Sequence, residues 1–388
     1  MSELKSFSYG LWSRLKRIPL PTLIIGGLWL VILILGSSLG LALPTLLSDT
    51  VRRFGMWGLF VLAMLPSIQC GTGPNFALPI GVCCGLLAIV CSIEFGFMRW
   101  GWLIASLVMA IIFAGIVGYF YGKLMNAVKG SEMTISTYTG FSITYLFCIL
   151  WMVLPFRSPR IGWMLGSGLR STLELGQIGG AQIINNFLGF ERLRVVDPNG
   201  VAETLGITDL SQSAGILQDI GGTVSSRFTF PSGMLIFFAI FCLFMWLFYR
   251  SKTGIATSAV GMNPVFAKAS GLNVDKSRVK ANIISTVLAA IGIIIYSQSF
   301  GYAQLYDAPI MMAFQAVAAV LIGGATTNRA KIPHVIIGTL IFQGLLTNSP
   351  PVLNSLFPET DLSEIFRMVI QNGIILYALT QVKVGAEQ

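Results

Sequence analysis

The sequence predicts an all-α polytopic membrane protein with about ten transmembrane helices, two of them broken or short, and an extended exterior segment between the two halves. Three observations support this fold class. Hydrophobic residues form 54% of the 388 residues and charged residues only 11%, an excess that a water-soluble core of this size does not need. About ten apolar runs approach the length that crosses a bilayer. Basic residues are concentrated in alternate connections between these runs.

The first part of the chain is predicted to comprise a cytoplasmic N-terminal segment, residues 1–20, and a first transmembrane half, residues 21–156. Its opening apolar run, residues 21–46, is too long for the core of a cleaved signal peptide. Four basic residues precede this run and are expected to hold the N-terminus in the cytoplasm. After this outward span, the apolar pattern predicts spans that alternate inward and outward over residues 57–70, 76–94, 101–122 and 140–156.

Residues 157–229 are predicted to form an exterior cap region, because their composition changes sharply to acidic, basic and amide side chains. Pro198-Asn-Gly200 predicts a turn within it, and a segment of this length is more than a connecting loop. The second transmembrane half, residues 230–388, is predicted to alternate inward and outward spans that leave both termini cytoplasmic. These spans cover residues 230–249, 279–300, 310–322, 335–346 and 365–381.

The distribution of charge supports this topology. The connections assigned to the inner side contain fifteen of the 25 basic residues but only four of the 16 acidic residues, as the positive-inside rule requires. The net charge of +9 is therefore interpreted as a membrane-orientation signal. The sequence has no basic stripe with interleaved aromatic residues, so nucleic acid is not an expected partner.

Two inward spans, residues 57–70 and 310–322, are too short to cross about 30 Å of hydrocarbon at about 1.5 Å per residue. Each continues into Gly-, Pro- or Thr-rich sequence, at Gly71-Thr-Gly-Pro74-Asn75 and at residues 323–328. Irregular backbone is tolerated at membrane depth only where protein or water satisfies it. Broken helices around a central cavity are one interpretation, and a plain helix end with a tight turn is the other.

Small residues at intervals of four predict places where neighbouring helices approach closely. Ala114, Gly118 and Gly122 share one helical face, as do Gly36 and Gly40. Ordinary packing without a special role is the alternative for any one of them.

The sequence does not indicate catalytic or cofactor chemistry. It has one histidine and six cysteines, and the cysteines lie in apolar runs without a CxxC pair, which indicates buried thiols rather than metal ligands or disulfides. Residues 118–123 superficially resemble a phosphate-binding loop, but the glycine spacing is wrong and Leu124 stands where Ser or Thr would bind magnesium. We therefore expect a chain that is not an enzyme, with no ATPase motif, no metal and no cofactor.

Uncharged polar and aromatic side chains near the spans predict a path for a neutral, hydroxylated solute. The acids nearest the membrane, Glu94 and Asp307, lie at outer span ends, which argues against ion-coupled transport. Amides and hydroxyls can bind such a solute without desolvating an ion, and aromatic rings can stack on a sugar or base. Contacts between helices are the alternative role for the same side chains. The candidate path residues are Gln69, Thr72, Asn75, Phe76, Gln298, Phe300, Phe314 and Gln315.

A polar, basic segment, residues 250–278, separates two long apolar runs in the second half. It contains Gly261-Met-Asn-Pro264 followed by Gly271-Leu-Asn-Val274. In this sequence and spacing it resembles the cytoplasmic coupling segment of ribose-type ABC importer permeases, and we call it the coupling segment. The resemblance extends to Ile322-Gly-Gly-Ala-Thr and to residues 336–346, so it covers about residues 230–381 in matching order.

A short helix is predicted within the coupling segment over residues 261–271. Asn263 is a suitable N-cap, and Pro264 would occupy the first helical position. By the resemblance, this helix docks on an ATPase through Gly261, Asn263, Pro264, Phe266, Lys268 and Gly271.

The resemblance implies a multi-pass subunit of the bacterial cytoplasmic (inner) membrane with three kinds of protein partner. They are cytoplasmic ABC ATPase subunits, an exterior solute-binding protein and a second permease protomer, identical or homologous. The binding protein is expected to contact the cap region through Glu191, Arg192, Arg194 and Asp197. The first half departs from the family sequence at residues 73–81, which lack its usual Asp and Ser, and this departure concerns the identity of the substrate.

These observations together predict the transmembrane permease subunit of a binding-protein-dependent ABC importer for a simple sugar or nucleoside, driven by a separate ATPase. Two alternatives remain open at this point. One is an ABC permease for branched-chain amino acids or another small solute. The other is a channel or scaffold protein of the membrane without ATPase coupling, which co-purification of an ATPase would exclude.

Overall fold

The computed structural model describes residues 19–156, 158–162, 168–185, 231–306, 308–327, 329–357 and 363–384. For residues 363–364 and 377–384 it describes the backbone only. Within these ranges the chain forms twelve α-helices, one short 3-10 turn and one two-stranded sheet.

The elements of the first half are all helical up to the exterior region. They are α1 (Leu20–Ser38), α2 (Leu43–Gln69), α3 (Leu78–Glu94), α4 (Arg99–Ala127) and α5 (Glu132–Val153). The segment predicted as the exterior cap region contributes strand β1 (Thr172–Glu174) and the 3-10 turn (Gly176–Ile178).

The second half adds seven helices and one strand. They are α6 (Ser232–Arg250), α7 (Lys252–Met262), α8 (Pro264–Ala269), α9 (Val274–Phe300), β2 (Tyr302–Gln304), α10 (Ala308–Ile322), α11 (Ile332–Leu356) and α12 (Ser363–Val384).

Ten of these helices correspond to the ten predicted spans, which confirms the predicted fold class. Among the described residues, seven helices are long and apolar enough to cross a bilayer: α1, α2, α4, α5, α6, α9 and α11. Shorter apolar helices are α3, α10 and the stretch Ile365–Leu376 of α12. The two remaining helices, α7 and α8, belong to the coupling segment.

The first of the two short spans was predicted wrongly. Residues 57–70 are the second half of α2, a 27-residue helix that begins at Leu43 and is therefore about 40 Å long. The helix includes the polar sequence Asp49-Thr-Val-Arg52-Arg53. Charged side chains are tolerated here because, near the end of a span, they can extend to the membrane interface. The run before it ends early, since α1 stops at Ser38 and Gly40 adopts a φ of 83° in the turn that follows.

The second short span is present as predicted. Helix α10 has 15 residues, which corresponds to about 22 Å. It ends at Ile322, and non-helical backbone then continues up to the start of α11 at Ile332 within the described residues.

The core of the bundle consists of α2, α3, α9, α10 and α11. In α2, 78% of the most apolar stretch is buried, compared with 67% in α9 and 61% in α11. The peripheral helices α1, α4, α5 and α6 bury at most 28% of theirs, and they expose Ile, Leu, Val and Phe side chains. An apolar outer surface of this extent is typical of a protein surrounded by lipid.

The predicted close approach of α4 is confirmed, and its neighbour is α9. A Cβ atom at Gly118 would lie 3.2 Å from the Cα atom of Ile283, and one at Gly122 would lie 2.9 Å from the Cα atom of Val279. Ala114 is fully buried on the same face. Gly40 is different, because nothing lies within 4 Å of its Cβ position; its role is the left-handed turn.

The connections that the charge distribution assigned to one side lie together at one end of the bundle, which we call the coupling end. Lys129 Nζ pairs with Asp275 Oδ1 at 2.7 Å, and Arg278 Nη1 pairs with Glu132 Oε1 at 3.1 Å. These contacts join the connection between α4 and α5 to the end of the coupling segment. At the opposite end of the bundle, strand β1 of the exterior region pairs antiparallel with β2, which follows α9.

Candidate functional site

The short helix of the coupling segment is α8, and local sequence explains both of its ends. Asn263 is the N-cap, where its Oδ1 accepts a hydrogen bond of 2.9 Å from the backbone N–H of Phe266. Pro264 occupies the first helical position. At the other end, Gly271 has a φ of 81° and Leu272 donates a backbone hydrogen bond to Ala267, a common way to terminate a helix. The helix is therefore shorter than the predicted residues 261–271.

An apolar surface is exposed where α7 meets α8. The exposed fractions of Met262, Val265 and Phe266 are 69%, 79% and 68%, and we call these three residues the exposed apolar patch. Ala267 points the other way and is fully buried, while Lys268 is exposed beside the patch. Helix α8 thus presents large apolar side chains outward at the coupling end.

The coupling segment is held against the end of α2 by direct backbone contact. Gly261 lies in α7, and a Cβ atom there would be 2.0 Å from the carbonyl oxygen of Gln69. The side chain of Gln69 reinforces this contact, since its Oε1 accepts from Ser258 Oγ at 2.9 Å and its Nε2 donates to the carbonyl of Ala330 at 2.6 Å. Gln69 therefore lies at the coupling end with both ends of its amide hydrogen-bonded to protein.

The connection between α2 and α3, residues 70–77, turns back into the protein. Gly71 and Gly73 have φ values of 78° and 77°, which glycine adopts without steric cost. Thr72 is buried and hydrogen-bonds to the side chain and backbone of Ser67. Thr72 thus stabilises the turn that ends α2.

Asn75 fixes the inner part of this connection to three helices. Its Nδ2 donates to Ser285 Oγ of α9 at 2.8 Å, and its Oδ1 accepts from the hydroxyl of Tyr121 in α4 at 2.9 Å. Ser285 Oγ in turn donates to the carbonyl of Ala63 in α2 at 2.6 Å. Asn75 is only 1% exposed, so in this arrangement its amide stabilises the connection through hydrogen bonds to neighbouring helices.

An aromatic cluster lies directly after Asn75, where the connection meets α5 and α10. The ring of Phe314 is 6.0 Å from that of Phe76 and 6.0 Å from that of Phe141, measured between centroids. All three rings are partly exposed. Gln315 is the next residue on α10 and is also partly exposed; its amide has no hydrogen-bond partner among the described residues. Phe76 of the connection and Phe314 of α10 are therefore neighbours, and Gln315 follows Phe314 in the same helix.

Phe141 is a member of this cluster that the sequence did not single out. The available signal was Gly140 beside it, because a Cβ atom at Gly140 would lie 2.9 Å from the carbonyl oxygen of Phe76. A glycine next to an aromatic residue in the middle of a span is compatible with such a close approach. The sequence alone does not say which backbone is approached.

Gln298 and Phe300 lie at the opposite end of the bundle, in the last turn of α9. Gln298 is fully buried, and its Oε1 accepts a hydrogen bond of 3.2 Å from the backbone N–H of Ile184. Phe300 stacks on Tyr296 with a centroid distance of 5.4 Å, and the guanidinium of Arg53 lies 5.6 Å from its ring centre. The eight candidate path residues thus occupy three places, at the coupling end, at the aromatic cluster and at the opposite end of the bundle.

The residues predicted to contact a binding protein, Glu191, Arg192, Arg194 and Asp197, lie outside the described residues. The described part of the exterior region is attached to the bundle. Strand β1 pairs with β2, and the backbone N–H of Ser158 donates to Glu94 Oε2 at 3.0 Å.

Comparison with known proteins adds an independent line of evidence. The family model described as "Branched-chain amino acid transport system / permease component" matches residues 46–379. The chain is 22% identical over 152 residues to the nucleoside ABC transporter permease protein NupB of Lactococcus lactis. The aligned residues cover 38% of this chain and 40% of that protein. It is 30% identical over 131 residues to the galactofuranose transporter permease protein YtfT of Escherichia coli, covering 32% and 38%.

A third similar protein is the ribose import permease protein RbsC of Haemophilus influenzae, with 28% identity over 175 residues, or 44% of this chain and 50% of that protein. The matched part of the chain thus spans half or less of the length of these curated relatives. No solved structure matches the chain.

Proposed function

Since the chain belongs to the family of permease components of branched-chain amino acid transport systems, we propose that it is the transmembrane permease subunit of a binding-protein-dependent ABC importer. A separate ATPase drives transport, because the sequence contains no phosphate-binding motif of its own. The observation that supports this function best is the exposed apolar patch on a capped helix at the coupling end. Exposed apolar patches in an otherwise polar surround are typical of protein contact sites.

The coupling end faces the cytoplasm in this proposal, and both termini are cytoplasmic in the bacterial inner membrane. Two exposed cation–aromatic pairs support that orientation: Lys123 lies 4.6 Å from the ring centre of Tyr119, and Arg250 lies 3.8 Å from that of Trp246. An excess of basic residues near the ends of spans is typical of the cytoplasmic side, and aromatic residues mark the membrane interface on either side.

The proposed partners follow from the two ends of the bundle. Cytoplasmic ATPase subunits bind the coupling segment through the exposed apolar patch, with Lys268 beside it. Asn263, Pro264 and Gly271 shape α8, and Gly261 holds α7 against the end of α2. An exterior solute-binding protein binds the cap region at the other end. A second permease protomer, identical or homologous, completes the membrane unit.

The proposed solute is a neutral hydroxylated compound, either a simple sugar or a nucleoside. The named relatives transport a nucleoside, galactofuranose and ribose, which share hydroxyl groups and lack charge. The aromatic cluster with Gln315 suits such a solute, because rings can stack on it and an amide can both donate and accept. A branched-chain amino acid, which the family description suggests, carries an ammonium and a carboxylate that these side chains would not neutralise.

The candidate path residues take different parts in this proposal. Phe76, Phe314 and Gln315 contact the solute near the middle of the membrane. Phe300 and Gln298 shape the exterior end of the path. Gln69, Thr72 and Asn75 act indirectly, because their hydrogen bonds hold the connection between α2 and α3.

Replacing Gln315 by Leu is expected to slow solute uptake about threefold to tenfold, the effect of losing one hydrogen bond of about 0.5–1.5 kcal/mol. The measurement is the initial rate of ATP-driven uptake of radiolabelled ribose or a nucleoside into liposomes containing the complete complex. Met311→Leu is the matched control, because Met311 is on the same face of α10 and is 58% exposed.

Uptake by the Gln315→Leu variant at the rate of the Met311→Leu variant would exclude Gln315 from the solute path. Asn75→Leu should behave differently from both, since it removes hydrogen bonds to α4 and α9. Its expected effect is a lower midpoint of thermal unfolding.

Reversing the charges at Glu191 and Arg192 is expected to weaken docking of the solute-binding protein, and more strongly at low than at high salt, because salt screens exposed charges. A specific interface needs about 800 Å² per partner. The cap region is proposed as the docking surface because it is the one predicted outer segment long enough to supply a substantial share of that area. Affinity for the immobilised permease complex is measured at two salt concentrations. A deletion within residues 195–218 that leaves both affinity and uptake intact would reduce the cap to a structural role.

The proposed function as a whole is tested by co-purification and uptake. An ATPase should co-purify with the permease, and uptake of a sugar or nucleoside into liposomes should require ATP and the binding protein. ATP-independent flux without a bound ATPase would support a channel instead. ATP-driven uptake of a charged amino acid or peptide would overturn the proposed solute class.

A further inference from the structure

A buried ion pair at the coupling end differs from the other charges around it. The side chains of Arg278 and Glu132 are only 8% and 14% exposed, and their contact measures 3.1 Å. The neighbouring pair of Lys129 and Asp275 is 52% and 60% exposed. Burying two charges costs desolvation energy that their attraction does not reliably recover. Such a pair is therefore weak evidence for stability, and fixing a particular geometry is a better explanation of its presence.

The geometry that this pair fixes is the turn at the end of α2. The second guanidinium nitrogen of Arg278, Nη2, donates to the carbonyl of Gly71 at 3.1 Å. Arg278 belongs to α9, Glu132 begins α5, and Gly71 starts the connection between α2 and α3. One guanidinium thus holds three separate segments together.

Gly71 is also in backbone contact with the coupling segment. A Cβ atom at Gly71 would lie 3.1 Å from the Cα atom of Gly261 in α7, and one at Gly261 would lie 2.9 Å from the backbone nitrogen of Gly71. No side chain separates the two backbones at this point. A displacement of α7 must therefore move the turn at Gly71 or break the contact.

The same connection reaches the aromatic cluster after a few residues. Asn75 is hydrogen-bonded to Ser285, which lies about 10 Å further along α9 than Arg278 at the usual helical rise. Phe76 follows immediately and contacts Phe314. Residues 70–77 thus connect the surface where an ATPase would dock with the place where a solute would pass.

We propose that Arg278 and Glu132 are positioning residues for coupling: they clamp the connection between α2 and α3 against the coupling segment, so that movement of α7 and α8 reaches Phe76. This inference rests on the proposed function. It adds a clamp within the permease chain, through which movement of the ATPase changes the solute path.

The test uses the complete complex of permease, ATPase and binding protein in liposomes, and measures solute molecules imported per ATP hydrolysed. Arg278→Gln and Glu132→Gln are each expected to lower this ratio at least about tenfold, because removing one partner leaves the other charge buried and unpaired, while ATP hydrolysis changes less than twofold. The exchanged pair, Arg278→Glu with Glu132→Arg, should recover part of the ratio. Lys129→Gln is the matched control, because it breaks the exposed pair at the same end of the bundle.

A purely structural role is separated by measuring thermal unfolding of every variant. The clamp would be refuted if the ratio stayed at the wild-type value, or if uptake and ATP hydrolysis fell together in step with thermal stability. Failure of the proposed function gives a different result, because the wild-type complex itself would then show no ATP-driven uptake.

Discussion

Phe266→Asp is expected to abolish ATP-coupled uptake while leaving the permease folded. Phe266 is 68% exposed on α8, so the substitution removes little packing within the subunit. If the exposed apolar patch is buried on an ATPase, the new carboxylate loses its hydration there without a counter-ion. If Phe266 is a hot spot of that interface, its loss costs at least about 2 kcal/mol, which is about thirtyfold in affinity.

Two measurements check this expectation: co-purification of the ATPase with the permease, and uptake by the assembled complex in liposomes. Phe266→Leu is the matched control, because it keeps an apolar side chain on the patch and should retain most of the coupled uptake. Unchanged uptake by the Phe266→Asp variant would remove this helix from the mechanism. An unfolded variant is excluded by comparing its thermal unfolding with that of the Leu control.

Gly338→Ala is expected to cause one of the largest losses of stability among single methyl additions in the described helices. Helices α10 and α11 touch through their backbones here, because a Cβ atom at Gly338 would lie 1.9 Å from the carbonyl oxygen of Ala319. Gly323 has the reciprocal arrangement, with its Cβ position 1.9 Å from the carbonyl oxygen of His334. A backbone atom cannot rotate away as a flexible side chain can, so one helix must shift, at a cost of about 1–3 kcal/mol or more.

The midpoint of thermal unfolding in a fixed detergent is the measurement for this prediction. Gly115→Ala is the matched control, since Gly115 is also inside a long helix and nothing lies within 4 Å of its Cβ position. That control should be neutral or slightly stabilising, because Ala favours a helix over Gly by about 1 kcal/mol in soluble hosts. Equal midpoints for the two variants would contradict the close approach of α10 and α11.

The coupling segment shows how far local sequence can go. The cap at Asn263, Pro264 at the first helical position and Gly271 after the helix could be predicted because each acts within a few residues along the chain. The contact between Gly261 and the carbonyl of Gln69 could not, since it joins residues almost two hundred positions apart. The role of Gly261 in packing therefore became visible only in the folded chain.

The candidate path residues show the opposite case. Gln69, Asn75 and Gln298 are amides in apolar surroundings, and the sequence could not distinguish an amide that faces a solute from one that joins helices. In the structure all three are hydrogen-bonded to other segments. Gln315 is the exception among the described path amides. It follows Phe314 on α10, and the tertiary structure brings Phe314 against Phe76 and Phe141.

The sequence by itself determined the membrane class, the number of apolar helices and the grouping of the connections by charge. These properties follow from sums along the chain: apolar length must match the bilayer, and basic residues are distributed by side. Tertiary structure alone decided that α2 begins at Leu43, that Arg278 reaches both Glu132 and Gly71, and that Phe76 meets Phe314. Each of those depends on which helix faces which, and inside a membrane that choice is made by close packing and hydrogen bonding between distant segments rather than by hydropathy.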